Sequence, residues 1–156
     1  MAMQTNVLFY VLPDNSDDDA LNRVACIQAA KSFRENQRVF IFTPDQAKAH
    51  DIDELLWSFE ADSFVPHNLV GEGPQNGAPV EISWQPPTSR RQVLINLTET
   101  VPNFAHHFSQ IIDFVPANAE LKQKARERYK VFKQAGVPLE TKQINTSNSA
   151  QEQSTS

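Results

Sequence analysis

Three of the four histidines are the residues in this chain best suited to acid–base chemistry or metal binding. His106 and His107 are adjacent, so on a helix their side chains would point about 100° apart, a poor arrangement for holding one metal ion. No cysteine can join them, because Cys26 lies inside a helical pattern. His67 follows Pro66 in an irregular segment, where hydrogen bonds that fix the loop are a simpler role than catalysis. The histidines therefore predict no metal site and no clear catalytic base.

Glycines cluster in the same irregular segment, at Gly71, Gly73 and Gly77. Their spacing fits neither G-x-G-x-x-G nor G-K-[ST], so a shaped turn is favoured over a phosphate cradle. No serine lies in a G-x-S-x-G elbow, which leaves nucleophilic hydrolysis unsupported. One further cluster of carboxylates fits the solvated face of a helix: Asp51, Asp53 and Glu54.

The last predicted helix concentrates positive charge. Six lysines and arginines there oppose two glutamates, which leaves +4 on the helix and −9 on the rest of the chain: Lys122, Lys124, Arg126, Arg128, Lys130 and Lys133. Lys122, Arg126, Tyr129 and Lys133 recur at steps of four, three and four, so they share one face. Such a face suits an acidic peptide, because cations pair with carboxylates and the ring offers apolar contact. An ordinary solvated helix face explains the same charges.

The elements that must position these residues begin in the order strand, helix, strand, helix. Asn6 to Leu12 reads as a buried strand, and an acidic cluster opens a helix that ends near Glu35-Asn36. Arg38 to Phe42 is a second strand. Thr43-Pro44-Asp45-Gln46 reads as a capping box with Pro at the first helical position, opening a helix to about Trp57. This order predicts a single α/β domain with a mostly parallel sheet flanked by helices.

The second half has shorter elements around a long loop at 64–79. The pattern predicts strands at Val80–Trp84, Gln92–Leu97 and Ile111–Val115, a short helix at Phe104–Phe108 and a last helix at Ala117–Ala135 that Gly136 ends. The folded domain is predicted at residues 1–138. Residues 139–156 form a polar tail, almost without apolar side chains from Glu140 onward, for which disorder is predicted. Trp57, Phe64 and Pro66 beside the loop are either core or the apolar anchor of a protein interface.

Composition and charge limit the class of protein further. The chain has 156 residues and a net charge of −5, which argues against general coating of nucleic acid but leaves room for a local basic patch. A single cysteine excludes an internal disulfide and fits a reducing compartment. No apolar run reaches the length of a membrane span, and the N-terminus lacks the features of a signal peptide. The expected class is a cytoplasmic single-domain protein.

The irregular loop carries a resemblance to a known family. Ser63 to Leu69 (SFVPHNL), Gly71-Glu72-Gly73-Pro74 and residues 77–82 (GAPVEI) resemble the chi subunit of bacterial DNA polymerase III. Three further segments resemble the same family: DELLW at 53–57, Asp113-Phe114-Val115-Pro116 and ARERYK at 125–130. The resemblance covers Phe9 to Gly136 in matching order.

The resemblance implies an accessory protein of the clamp-loader assembly that has no catalytic activity and no cofactor. It implies an α/β domain similar to nucleotide-binding folds without their phosphate loop. One implied surface binds the acidic C-terminal tail of the single-stranded-DNA-binding protein through Lys122, Arg126 and Tyr129, with Val115 beside them. A second implied surface binds the psi subunit of the clamp loader through Trp57, Phe64 and Pro66. The same region is expected to engage an iron–sulfur DNA helicase used in repair.

The expected function is therefore a bridge between the clamp loader and coated single strands, without direct contact to DNA. Two alternatives remain open on the residues alone. One is a nucleotide-dependent enzyme that uses His67 near the glycines. The other is direct DNA binding through the last helix, which would give a steep salt dependence on bare single strands.

Overall fold

The computed structural model describes residues 5–58, 65–72, 78–88 and 90–144. This part of the chain contains seven strands, three α-helices and one 3-10 turn (Ala105–His107). In chain order the strands and α-helices are β1 (Asn6–Val11), α1 (Asp18–Arg34), β2 (Val39–Phe42), α2 (Gln46–Ser58), β3 (His67–Leu69), β4 (Val80–Ser83), β5 (Val93–Asn96), β6 (Gln110–Val115), α3 (Ala119–Gln134) and β7 (Leu139–Gln143). Within the described ranges, no helix combines the length and hydropathy needed to cross a membrane.

The described strands form one sheet in the order β3-β4-β2-β5-β6-β1-β7, and all neighbouring strands run parallel. The predicted α/β fold with a mostly parallel sheet is confirmed. Parallel neighbours need crossover connections, and α1, α2 and α3 supply three of them. Short continuous apolar strands such as Val39–Phe42 and Val93–Asn96 suit a sheet that is covered on both faces.

The core consists of two apolar layers, one on each face of the sheet. Alternate side chains of a strand point to opposite faces, so Tyr10 packs in the layer that contains α1 and α2, whereas Phe9 packs in the other. The second layer also holds Phe108 and Phe132, which anchor the 3-10 turn and α3. α3 is thereby fixed across the face formed by β1 and β6.

The predicted ends of α1 and the predicted C-terminal end of α3 are confirmed, but the predicted starts of α2 and α3 are not. α3 begins at Ala119, after its cap Asn118, and not at Ala117. The Asp17 carboxylate accepts a hydrogen bond from the Ala20 N–H, and Gly136 adopts φ +78° directly after α3. At α2, Asp45 Oδ1 accepts from the Lys48 N–H at 2.9 Å, which makes Asp45 the cap. The predicted capping box at Thr43 is therefore wrong. The Thr43 hydroxyl instead donates to the carbonyls of Asp45 and Ser83.

Two predictions at the edges of the sheet are wrong. His67–Leu69 form edge strand β3 inside the segment that reads as loop, held by the bond from Val70 N–H to the Ile82 carbonyl at 2.8 Å. Leu139–Gln143 form β7 at the other edge, where composition predicts disorder and a domain end at 138. An edge strand can be polar, since backbone pairing with β1 holds it while its side chains face solvent. Residues 145–156 and Phe64 lie outside the described residues.

Candidate functional site

The buried face of α3 determines which of its side chains are exposed to solvent. Ala125, Arg128 and Phe132 are buried and Leu121 is half-buried, at steps of four, three and four. The predicted charged face lies beside this buried stripe. Arg126 and Lys133 are exposed there, whereas Lys122 and Tyr129 are half-buried. The helix therefore carries its cations along the border between sheet and solvent.

Arg126 is an available cation of this face. It is exposed, and it makes no hydrogen bond or ion pair with any other residue that the structure describes. Lys122 differs, because its Nζ lies 3.4 Å from Oδ1 of Asp14. The Asp14 side chain is 95% exposed, and exposed pairs of this kind contribute at most about 1 kcal/mol. An incoming carboxylate can therefore replace Asp14 at little cost.

Tyr129 and Val115 form the apolar border of the same face. The Tyr129 ring centroid lies 5.5 Å from that of Phe9, at an interplanar angle of 59°. Val115, at the end of β6, packs against the same core layer and is also half-buried. In the sheet, Val115 pairs with Val11 of β1, so both belong to one face of adjacent strands. The four predicted residues of the first surface thus lie on one side of the sheet.

Arg128 corrects the charge count made from the sequence. Arg128 is only 6% exposed, and its guanidinium binds the Asp113 carboxylate, with Nε 2.9 Å from Oδ2. Burial raises the pKa of Asp113, and the Arg128 guanidinium and the Phe114 N–H oppose that rise. Arg128 therefore serves the fold and not the solvent face. Its spacing from Ala125 and Phe132 is the signal that places it on the buried stripe.

A small cavity of about 60 Å³ lies at the carboxyl ends of β5 and β6, lined in part by Asn96, Asp113 and Arg128. Doubly wound folds bind nucleotides outside this edge of the sheet. Small-molecule sites usually measure roughly 300–1,000 Å³, so this cavity cannot hold a nucleotide. Among the residues with a described position, no group of three or more histidine, cysteine, aspartate or glutamate side chains is placed to hold a metal ion.

The second predicted surface surrounds Trp57, near the end of α2. Trp57 is 61% exposed, which is unusual for so large an apolar side chain. Its ring lies edge-on to His67, with centroids 4.9 Å apart. Pro66 is half-buried and directly precedes β3, so Trp57 and Pro66 both neighbour His67, one through its ring and the other along the chain. Phe64, the third predicted member, is outside the described part of the chain.

His67 has the structural role that the loop pattern favours. Its side chain is 0% exposed, its Nδ1 lies 2.6 Å from the Val65 carbonyl, and its Nε2 lies 3.2 Å from Oδ1 of Asp53. A nearby amide adds to the order of the loop, since the Asn68 side chain accepts from the Ala78 N–H at 2.6 Å. A ring without solvent contact cannot reach a substrate, which disfavours His67 as the base of an enzyme.

Comparison with known proteins identifies the family. The family model described as DNA polymerase III chi subunit, HolC, matches residues 3–140. DNA polymerase III subunit chi of Escherichia coli is 46% identical over 141 residues, which cover 87% of this chain and 96% of that protein. The subunits named chi from Haemophilus influenzae and Pseudomonas aeruginosa are 42% and 36% identical, covering 91% and 87% of this chain and 99% and 94% of their own lengths. The chain therefore belongs to the DNA polymerase III chi subunit family, whose members are accessory subunits in DNA replication.

Proposed function

We propose that this chain is a non-catalytic replication adaptor that joins the clamp loader of DNA polymerase III to the single-stranded-DNA-binding protein. The observation that carries the proposal is the exposed Arg126 guanidinium on α3, with Lys122 and Tyr129 on the same helix face. The match to the chi subunit family supports the proposal. The cavity at the carboxyl ends of β5 and β6 is also smaller than a nucleotide site. These partners place the protein in the cytoplasm.

The proposed ligand of this face is the acidic C-terminal tail of the single-stranded-DNA-binding protein. Its carboxylates would pair with Arg126 and Lys122, Arg126 in bidentate fashion. The apolar residue at the end of the tail would rest on the border formed by Tyr129 and Val115. Such a contact is small and charge-assisted, so its affinity falls with added salt. Several tails on an oligomeric partner raise the avidity through effective concentration.

A peptide titration tests this proposal. A labelled copy of the acidic tail is titrated into the wild type, Arg126→Ala and Arg23→Ala, where Arg23 is an exposed arginine of α1. Arg126→Ala should weaken binding by roughly 1.5–3 kcal/mol, the scale of a hydrogen bond to a charged group. Arg23→Ala, with the same loss of charge, should leave the affinity unchanged. Absence of saturable binding by the wild type at low salt, or full affinity in Arg126→Ala, would refute the proposal.

The Trp57 surface is the proposed dock for the psi subunit, with an iron–sulfur DNA helicase of repair as the alternative partner. Exposed tryptophans that are held in position are typical of the residues that dominate binding energy at interfaces. Trp57 meets this description because His67 supports its ring from the buried side. The two proposed surfaces lie on different helices, α3 and α2, so one chain can engage both partners. Contact with bare DNA through α3 is not part of the proposed function.

A further inference from the structure

A second basic feature lies at the amino ends of the strands, the opposite edge of the sheet from the 60 Å³ cavity. The segment before β5 and the 3-10 turn before β6 meet there, because Ser109 and Gln110 both donate their N–H groups to the Gln92 carbonyl, at 3.0 and 3.1 Å. Between them is a cleft of about 450 Å³, whose lining includes Thr88, Arg90, Arg91, His106, His107 and Phe108. Neither proposed partner surface contributes to this lining.

The walls of the cleft are firmly built. Arg91 is 3% exposed, and its guanidinium donates to the carbonyls of Ala78 and Pro79 at 2.8 and 2.9 Å. On the other wall, Phe108 is 2% exposed within the second core layer, and its carbonyl accepts from the Thr5 hydroxyl at 2.7 Å. Arg91 and Phe108 therefore hold these two parts of the lining in place before any ligand arrives, which lowers the entropic cost of binding.

The charge of the cleft is positive. Arg90 is exposed and forms no ion pair or hydrogen bond with the residues whose positions are described, and none of the lining residues is acidic. His106 and His107 are exposed beside it, with ring centroids 4.2 Å apart. Burial lowers the pKa of Arg91, Glu81 opposes this, and nearby Arg38 lowers it further. Glu81 pairs with Arg91, since its Oε1 lies 3.7 Å from the Arg91 Nε, so the exposed Arg90 supplies the positive charge of the described lining.

We propose that this cleft binds a phosphate group, carried either by a free nucleotide or by a strand of nucleic acid. A volume of about 450 Å³ falls within the range of small-molecule sites. The Arg90 fork can hold two phosphate oxygens, and the imidazole N–H groups of His106 and His107 add donors. Flat imidazole rings also offer a surface on which a base can stack. The net charge of −5 opposes coating of DNA but permits one local site of this kind.

The test follows the imidazole NMR signals of His106 and His107 in the full chain, assigned with His106→Gln and His107→Gln. The probes are inorganic pyrophosphate, AMP and a short oligothymidylate without a terminal phosphate, with the acidic tail peptide as a fourth arm. We expect saturable shifts with at least one phosphate probe. Arg90→Gln should weaken that binding about tenfold, the scale of one charge-assisted contact, while Arg23→Gln leaves it unchanged.

The arms distinguish the two sources of phosphate. A response to pyrophosphate and AMP assigns the cleft to terminal phosphates, whereas a response to the oligothymidylate alone assigns it to the phosphodiesters of a strand. Three outcomes overturn the proposal: no saturable shift with any phosphate probe, equal weakening in Arg23→Gln, or shifts with the acidic peptide alone. The tail titration with Arg126→Ala is unaffected by each of these results, so the two proposals stand or fall separately.

Discussion

The Arg128 guanidinium and the Asp113 carboxylate form a buried pair beneath α3, with Nε 2.9 Å from Oδ2 and side chains that are 7% and 1% exposed. The other two nitrogens of Arg128 donate to the carbonyls of Glu99 and Phe114, each at 3.0 Å. One side chain therefore joins α3 to β6 and to the segment after β5. Since α3 also carries Arg126 and Tyr129, this pair positions the proposed tail-binding face.

Replacing Arg128 should destabilise the fold strongly. Arg128→Met leaves the Asp113 carboxylate buried without its cation, which typically costs about 3–5 kcal/mol. Arg126→Met, two residues away on the exposed face, should change the free energy of unfolding by less than about 0.5 kcal/mol. Urea unfolding of both variants measures the difference. Asp113→Leu combined with Arg128→Met should recover much of the loss, and similar values for the two single variants would contradict the argument.

Alanine variants of Trp57 and its neighbour Leu56 separate binding at the second surface from stability of the fold. Trp57→Ala should abolish co-purification with psi but lower the free energy of unfolding by less than about 1 kcal/mol, because the ring is 61% exposed. Leu56 is 2% exposed, so Leu56→Ala should cost about 2–5 kcal/mol. Pull-down and urea unfolding measure the two effects. If Trp57→Ala unfolds the protein as readily as Leu56→Ala, the ring belongs to the core.

Most of the fold could be predicted, because its strands are short apolar runs and two of its helices begin or end at recognisable caps such as Asp17 and Gly136. The two edge strands of the sheet could not be predicted. β3 has only three residues. β7 is polar, and its backbone pairing with β1 holds it in the sheet although its composition does not indicate a strand. These two strands depend on contacts between distant parts of the chain, which local patterns do not contain.

The candidate site was predictable to a similar degree. Steps of four and three place Lys122, Arg126 and Tyr129 on one helix face, as the structure has them, while their binding role stays a prediction. A charge sum counts Arg128 as a solvent cation, which is wrong, because such a sum ignores which face of the helix a residue lies on. The cleft between Arg90 and His106 joins two segments that meet only when β5 pairs with β6, so no local spacing indicates it.

The buried thiol of Cys26 should make stability depend on alkaline pH. Burial raises its pKa from 9.0 to about 12. Between these values the folded state keeps a proton that the unfolded state loses, so the free energy of unfolding falls as pH rises. From about pH 8 to about pH 10 the loss should be about 1.4 kcal/mol relative to Cys26→Ala. Urea unfolding of both proteins at both pH values measures it. A constant difference between them would show that the thiol does not titrate this way.

Two truncations separate β7 from the residues that follow it. A stop after Pro138 removes β7, which pairs with β1 from Val7 to Val11, and it removes Leu139 from the core layer that also holds Tyr129. We expect a loss of more than about 2 kcal/mol in the free energy of unfolding, from the half-buried leucine and the lost ladder bonds. The exposed edge of β1 should also promote self-association, visible by light scattering.

A stop after Ile144 keeps β7 and removes a segment with almost no apolar residues. It should therefore change the free energy of unfolding by less than about 0.5 kcal/mol and leave the protein monodisperse. Affinity for the tail peptide is a third measurement, besides stability and self-association. The core layer against which Tyr129 packs keeps Leu139 in this variant and loses it in the shorter one. Equal stability of the two truncations would mean that β7 adds nothing to the fold, and equal tail affinity would mean that the Tyr129 border does not depend on it.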